Sequence, residues 1–236
     1  MVLSLDQFNS EVFEIKMANI QLDEATYSSS DICMIIKRAK EEKYDNVSVK
    51  VDSSNKRLTN LFLAEGFELV DTQLMYDLEL KESTESFDRL VRKYHNSDTD
   101  RIMRIAKDSF KIDQFHSDSQ LPDERCDLYY EKWAKNLCEG LADDIFVAEQ
   151  DNTVVGFVSL RYENDTAVVG LAAVDANYRG NGYFTRLLIT IMSTLKEEGF
   201  THLYYGTQLA NTPVLRTMSK IGGIPLFSKH VMHKMI

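Results

Sequence analysis

Cysteine is scarce in this 236-residue chain. Cys33, Cys126 and Cys138 are scattered, odd in number and form no CxxC pair, which argues against a disulfide framework and against a structural zinc site. Long apolar runs are missing as well. The stretch AVVGLAAV, residues 167–174, is far shorter than the ~20 residues a membrane helix needs. Positive charge is in deficit: 27 Lys and Arg face 37 Asp and Glu, a formal net charge of -10. Such a chain repels phosphate backbones and is a poor general nucleic-acid binder, so no nucleic-acid partner is expected. The opening MVLSLDQFNSEVF lacks a charged-then-apolar signal pattern, and a cytoplasmic location is expected. The remainder, 44% hydrophobic and 27% charged, suits a globular protein with enough chain for two small domains.

Hydrophobic periodicity predicts alternating strands and helices. Strands are expected at 12–20 (VFEIKMANI), 47–51 and 69–80, with helices at 30–43, capped by Ser30, and at 55–67, ending at Gly66. Residues 81–86 (KESTES) are polar and read as a linker. Beyond them come a strand FDRLVRKY, a helix Thr99 to Phe110, a loop holding FHSDSQLP, and a helix at 125–138. Three strands follow, joined by turn signals at Asp151-Asn152 and Asn164-Asp165. A helix Gly182 to Glu198, a strand HLYYGTQ, a helix Pro213 to Ile221 and a last strand complete the chain. This divides it into a small amino-terminal α/β domain (1–80), a linker (81–86) and a larger domain (87–236). The strand–helix–strand at 47–80 resembles the one at 202–236, with Asn55 matching Asn211, Phe62 matching Met218 and Gly66 matching Gly222. One pair of short units fits a duplication as well as convergence on a common pattern.

The informative segment is VVGLAAVDANYRGNGYFTRLL, 168–188. An apolar strand runs into Arg179-Gly180-Asn181-Gly182 and then into an amphipathic helix. Glycines allow a tight turn and a close approach to a phosphate; the free N–H groups of the first helical turn point at the anion, and Arg179 adds a formal charge. A dinucleotide fingerprint would need a glycine where Thr185 stands, and a P-loop would need Gly-Lys-Ser/Thr. An ordinary β–α turn with two glycines is the plain alternative.

The stretch V-D-A-N-Y-R-G-N-G-Y resembles the acetyl-CoA-binding motif Q/R-x-x-G-x-G/A of the GNAT acetyltransferases. Arg179 and Gly182 match it; Phe184 stands where the family has Gly or Ala. Asn211, followed by a short helix and Gly222, is similar to the family's last motif. The resemblance covers about residues 87–236. A narrower one, in NSEVFEIKM, DSFKIDQFHSDSQLPDERCDLYYEKW and GFVSLRY, is to the TDP-fucosamine acetyltransferase group, which acetylates a 4-amino-4,6-dideoxy sugar on a nucleotide.

The resemblance implies an α/β (α+β) GNAT fold, a mixed, mostly antiparallel sheet flanked by helices, preceded by a smaller incomplete GNAT-like α/β domain. It implies acetyl-CoA as cosubstrate, an amine acceptor carried on a nucleotide-amino sugar, and a homodimer; no metal is expected, since the cysteines are scattered and His230 and His233, three apart on a predicted strand, face opposite sides. The cofactor residues it implies are Ala172, Val174, Arg179, Gly180, Asn181, Gly182, Tyr183, Phe184, Thr185 and Asn211, with an N–H near Val174 as oxyanion donor. The acceptor site is expected between the two domains, with Phe115, His116, Tyr130 and Tyr162 in it. His116, in a loop beside Asp118, is the candidate base; a solvated loop histidine is the plain reading. Met218 occupies the place of the family's thiolate-protonating tyrosine, which leaves Tyr183, Tyr204, Tyr205, Thr217 and Ser219 as nearby hydroxyls. A GNAT acting on another amine, and a non-catalytic acyl-CoA-binding protein, stand as alternatives.

Overall fold

The structure is a computed structural model that describes residues 1–23, 25–81 and 88–236. The expected linker therefore lies, apart from Lys81, outside the described residues, as does Phe87. The amino-terminal elements are β1 (Val2–Leu5), α1 (Gln7–Phe13), β2 (Met17–Gln21), α2 (Ser29–Glu41), β3 (Asn46–Asp52), α3 (Lys56–Ala64) and β4 (Glu68–Glu79). Then come β5 (Val91–Lys93), α4 (Thr99–Ser109), α5 (Asp123–Asn136), β6 (Asp144–Gln150), β7 (Thr153–Glu163), β8 (Thr166–Val174), α6 (Tyr183–Glu197), β9 (His202–Gln208), α7 (Thr212–Lys220) and β10 (Ile224–Met235).

Three expectations are corrected. Residues 12–20 are not one strand: Asp6 caps a helix by accepting from Asn9 N at 3.0 Å, and that helix holds Val12 and Phe13 before the chain turns through Glu14 at φ 57. The strand begins only at Met17. FDRLVRKY contributes just Val91–Lys93 as strand, since residues 89 and 90 form a turn. Ser28 rather than Ser30 caps α2, in a capping box with Asp31.

The described strands form one sheet of order β1-β2-β3-β10-β4-β9-β8-β7-β6-β5. The final strand, β10, lies antiparallel between β3 and β4, and β4 lies between β10 and β9. Each half thus lends its last strand to the other. The residue offset that takes Asn55 to Asn211 also takes Gly66 (φ 80) to Gly222 (φ 84). It converts the pairing Glu68↔His233 into Asp77↔Ile224, and Val51↔His230 into Leu74↔Thr207. The halves are related by a local twofold through the β4–β10 pair, so the repeat seen in the sequence is a repeat of register.

Strand alternation sets which residues are buried. Val47, Val49 and Val51 of β3 enter a core with α2 and α3; Tyr76 and Leu78 of β4 enter a second core with α6 and Met218 of α7. The opposite face carries Asn46, Ser48, Lys50 and Asp52 of β3 and Asp71 and Gln73 of β4. Lys50 Nζ donates to Gln73 Oε1 at 2.9 Å across β10. On this face α1, α5 and the 115–121 segment pack around Phe13, Phe115 and Cys126.

One ion pair ties that segment to β10. His233 Nδ1 and Asp118 Oδ2 are 2.8 Å apart, with side chains 3% and 2% exposed. Burial pushes the Asp118 carboxyl up, but the His233 hydrogen bond, the Gln120 N–H and the His233 charge together outweigh it and hold it below its usual range. Its stabilising contribution is present above the ordinary carboxylate pKa and is lost as pH falls through the lowered value. Replacing His233 by leucine leaves a buried carboxylate unpaired and is expected to destabilise the fold by about 3 kcal/mol, much of it restored in D118L/H233L. Urea midpoints measure this; a single variant as stable as wild type would mean that the pair contributes nothing to stability.

Candidate functional site

Strands β8 and β9 are parallel and pair only over Thr166–Val168 against His202–Tyr204, although β8 continues to Val174 and β9 to Gln208. Past Val168 the two strands separate, leaving a wedge-shaped opening bordered by backbone N–H and C=O groups without a strand partner. A bulge in the β7–β8 pairing accompanies the split: the register slips between Val158 and Leu160, and the Ser159 hydroxyl accepts from Leu171 N at 2.8 Å and donates to Leu171 O at 3.2 Å. An extra residue of this kind bends a strand and re-aims the residues after it. A Cβ on Gly170 would come within 3.0 Å of Ser159 Oγ, so a side chain there would push on the hydroxyl that holds the bulge. Ala172 and Val174 lie on the free edge of β8.

The wedge opens toward the turn that ends β8. Asp175 starts a 3₁₀ turn over Ala176–Tyr178, and Gly180 and Gly182 take φ of 80 and 81, a left-handed conformation that glycine adopts without strain. Gly182 is the N-cap of α6 and provides no side-chain cap; the first helical bond runs from Arg186 N to Gly182 O at 3.0 Å. The N–H groups of Tyr183, Phe184 and Thr185 are therefore open to an anion at the positive end of a 15-residue helix. Arg179 binds back onto the frame, donating from Nε to Val174 O (3.1 Å) and from Nη2 to Ser109 O (3.4 Å). It joins the ends of β8 and α4 with donors to spare. Phe184, the departure from the motif, packs edge-on against Tyr205 with ring centroids 5.8 Å apart; its side chain leaves the turn for the core.

The amino-terminal half closes the same two positions on itself. Helix α2 is capped by Ser28 and the Asp31 carboxylate, and Asn55 caps α3 by accepting from Leu58 N at 3.1 Å. Asn211 has the backbone of Asn55 (φ -80, ψ 67 against φ -83, ψ 66) but caps nothing. In one half the anion cradle and the asparagine satisfy themselves, and in the other both are free for a ligand. Pyrophosphate at the α6 terminus, a pantetheine chain along β8 and the amide of Asn211 are mutually compatible, so the residues present fit coenzyme A.

Residues 100–222 match the family described as Acetyltransferase (GNAT) family. The chain belongs to the GNAT family. Among curated relatives, the spore coat polysaccharide biosynthesis protein SpsD of Bacillus subtilis is 25% identical over 125 residues, 53% of this chain. The match spans only 43% of SpsD's own length. A GCN5-related N-acetyltransferase from Sphaerobacter thermophilus superposes with a TM-score of 0.70 at 11% identity, over 99% of this chain and 76% of that one. A tandem GNAT protein from the clavulanic acid biosynthesis pathway gives 0.58 at 12% identity, over 93% and 75%. These two likenesses show the fold, and the GNAT fold is the one expected from the sequence. No helix among the described residues is long and apolar enough to cross a membrane.

Within this GNAT frame several expected acceptor residues lie elsewhere. His116 is 7% exposed, and its Nδ1 and Nε2 meet Asp113 (2.6 Å) and Asp127 (3.0 Å) rather than Asp118. With no free ring nitrogen it holds the 113–118 segment to α5, and the expectation that it is the base is withdrawn. Tyr130 is buried against Phe110 at 4.3 Å; its neighbour Tyr129 lines a cavity in its place, together with Phe115 and Gln114. Tyr162 pairs with Ala167 at the closed end of the wedge and donates to Asp144 Oδ2 at 2.7 Å, so it is remote from the opening. Of the tyrosines, Tyr183 donates its hydroxyl to Gln150, Tyr204 lies on the face opposite the α6 core, and Tyr205 shares that core with Met218.

The sequence reading missed Asp71. Thr72 O accepts from Leu209 N at 2.7 Å, which sets Asp71 beside the end of β9, near Asn211. Its Oδ1 accepts from Thr72 N at 2.7 Å, and its Oδ2 is buried without a partner among the described residues. Burial is the main influence and lifts the carboxyl to about 6; the Thr72 N–H opposes that, Asp113 adds to it, and Lys50 offsets it. Tyr130 of α5 also lies close to this charge. A half-buried carboxylate poised near neutrality, one strand across β9 from the cosubstrate opening, has the properties of a general base.

Proposed function

We propose that the protein transfers the acetyl group of acetyl-CoA to a primary amine, and that this amine belongs to a nucleotide-linked amino-deoxy sugar. The observation that carries the transfer is the β8–β9 wedge ending in the uncapped α6 terminus. The sugar acceptor is supported by the likeness to SpsD, a polysaccharide biosynthesis protein, and by the resemblance to the TDP-fucosamine group.

Acetyl-CoA supplies an activated thioester. The free edge of β8, at Ala172 and Val174, orients the cosubstrate and offers N–H groups to the carbonyl oxygen. The turn Arg179–Thr185 holds the pyrophosphate, and Asn211 takes the pantetheine amide. The Asp71 carboxylate pairs with the incoming ammonium and accepts its proton, giving the neutral amine that forms the C–N bond as the C–S bond breaks. The departing sulfur needs a proton that Met218 lacks. Burial pushes the Tyr205 hydroxyl pKa up, which keeps it protonated but makes it a weaker acid, so its contribution as donor from the same core as Met218 is modest.

Tyr205→Phe is expected to lower kcat about tenfold, because a thiol is already a tolerable leaving group, while Tyr183→Phe and Tyr204→Phe stay near wild type. Steady-state kinetics separates these; equal rates for all three would mean departure without a tyrosine acid. The overall reading is tested by mass spectrometry of acetyl-CoA with dTDP-4-amino-4,6-dideoxy-D-galactose, a polyamine and a peptide. Acetylation of only the polyamine or peptide would overturn the sugar, and tight coenzyme A binding with no product from any amine would leave a binding protein.

A further inference from the structure

We propose that the cavity over β2, β3 and β10 is the subsite for the anionic part of the acceptor, a nucleoside diphosphate, with its phosphates on Lys50 and Lys229. The inference rests on the acetyltransferase reading above, and it assigns to the amino-terminal half the work of holding the acceptor.

The cavity has a volume of about 1040 Å³ and is lined from both halves: α1 and β2 on one side, Gln114, Phe115 and Tyr129 on the other. It does not touch the wedge or the α6 turn, so it is not the cosubstrate's site. That volume suits a ligand of nucleotide size.

Lys50 and Lys229 form its floor. They come from neighbouring strands and flank one row, Lys229 opposite Asp52 and Lys50 opposite Val231. Neither has a carboxylate within salt-bridge distance among the described residues. Lys50 has only the neutral Gln73 Oε1, and Lys229 lies over the Phe227 ring at 5.3 Å. The Lys50 side chain keeps contact with solvent yet sits in a concavity with protein on most sides, so burial first and the Lys229 charge second pull its ammonium below the ordinary range. Two cations held together in a recess favour an anion between them.

The acidic residues of the lining do not fill that role. Asp6 accepts from Asn9 N and from the Asn9 and Asn19 amides. Asp52 accepts from the Ser54 N–H and hydroxyl. Asp23 accepts from Ala25 N and the Tyr27 hydroxyl. Most of their oxygens are engaged inside the protein; Asp52, opposite Lys229, also feels its charge without reaching salt-bridge distance, so the lysine donors are largely spare. Phe8 and Tyr129, with ring centroids 5.3 Å apart, give the cavity an aromatic wall on which a nucleobase can stack.

Register links this floor to the proposed base. Val231 pairs with Asp71 on one side and with Lys50 on the other, so Asp71 and Lys50 are two strand spacings apart, roughly 10 Å. The Lys50 side chain reaches back across β10 to Gln73, so its ammonium lies closer to the β4 side than the backbones do, a span that a pyranose carrying an amine and an anomeric phosphate can bridge. A sugar laid across β10 would present its amine to Asp71 and its diphosphate to the two lysines.

The test is calorimetric titration with thymidine diphosphate. Coenzyme A carries its own diphosphate, so the protein is first saturated with it to block the α6 turn. Wild type is expected to bind thymidine diphosphate, K50M and K229M about tenfold more weakly each, and K50M/K229M about a hundredfold. K50R/K229R should retain most of the affinity, and thermal melts of all variants should match wild type, since both side chains reach solvent. Undetectable binding to wild type, or equal binding to wild type and K50M/K229M, would overturn the subsite. The acetyltransferase reading is scored separately, by coenzyme A affinity, which the lysine changes should not alter, and by whether wild type acetylates the free amino sugar lacking phosphate. If coenzyme A does not bind, its site needs no blocking and the same titration still decides the subsite.

Discussion

Replacing Gly182 with valine is expected to weaken coenzyme A binding at least about a hundredfold, equivalent to ~2.7 kcal/mol. Gly182 has φ 81, and a Cβ there would meet nothing within 4 Å in the protein. A valine therefore has no clash inside the fold; its penalty is the left-handed backbone, about 1–2 kcal/mol for an L-residue. Relief of that strain rotates the turn and misaligns the N–H groups of Tyr183–Thr185. The space into which the side chain projects is the space a pyrophosphate must enter. Stability should fall modestly and affinity steeply. Gly182→Asn, which tolerates positive φ, should lose less than valine. Calorimetric affinities of G182V within threefold of wild type would place the pyrophosphate elsewhere.

Asp71→Asn is expected to lower kcat/KM about a thousandfold, within the range of general acid–base effects, and to make the protein more stable at the same time. The sign comes from the raised pKa. Folded Asp71 titrates at about 6 against an ordinary 3.8, so the folded state holds the proton more tightly. Stability is fullest below the ordinary value, falls as pH rises to about 6, and stays low above it. The full shift corresponds to at most about 3 kcal/mol, and partial exposure reduces this to about 1–2 kcal/mol. The groups facing Asp71 are Asp113 from the segment after α4, Lys50 from β3 and Tyr130 from α5. Asparagine removes the penalty, so D71N should melt above wild type at pH 7.5, with the gap closing near pH 4. The acid limb of the wild-type pH–rate profile should lie near 6 and vanish in D71N. A variant that keeps wild-type turnover would end the role of Asp71 as base, whatever its stability.

The cosubstrate half was legible in the sequence because its signal is contiguous. An apolar strand, two glycines and an amphipathic helix occupy one stretch, and those residues determine the turn geometry. The repeat was visible for the same reason, as a short strand–Asn–helix–Gly–strand unit read twice. The acceptor side was not. Asp71 becomes a candidate only because β4 inserts between β10 and β9, a pairing across more than a hundred residues that leaves no local trace. Lys50 and Lys229 are brought together by the insertion of β10 between β3 and β4. His116 was attractive as a loop histidine, but Asp113 and Asp127, which occupy its nitrogens, come from a turn and from the next helix. Tyr129 and Tyr130 differ only in helical phase, and α5 is apolar on enough of its surface that phase could not be read from composition.

The exchange of β4 and β10 also constrains how the chain can be made. A nascent chain releases β3 and β4 early, yet the strand that separates them follows only after β5 to β9. Until those twelve residues arrive, β3 and β4 each have an open hydrogen-bonding edge, and open edges invite pairing with other chains. Closing the sheet then requires joining segments that are far apart in sequence, an intrinsically slow step. A stop codon just before Ile224 would leave both halves unfinished, so neither is expected to accumulate in soluble form when expressed alone. Supplying β10 as a separate peptide during refolding should rescue the truncated chain.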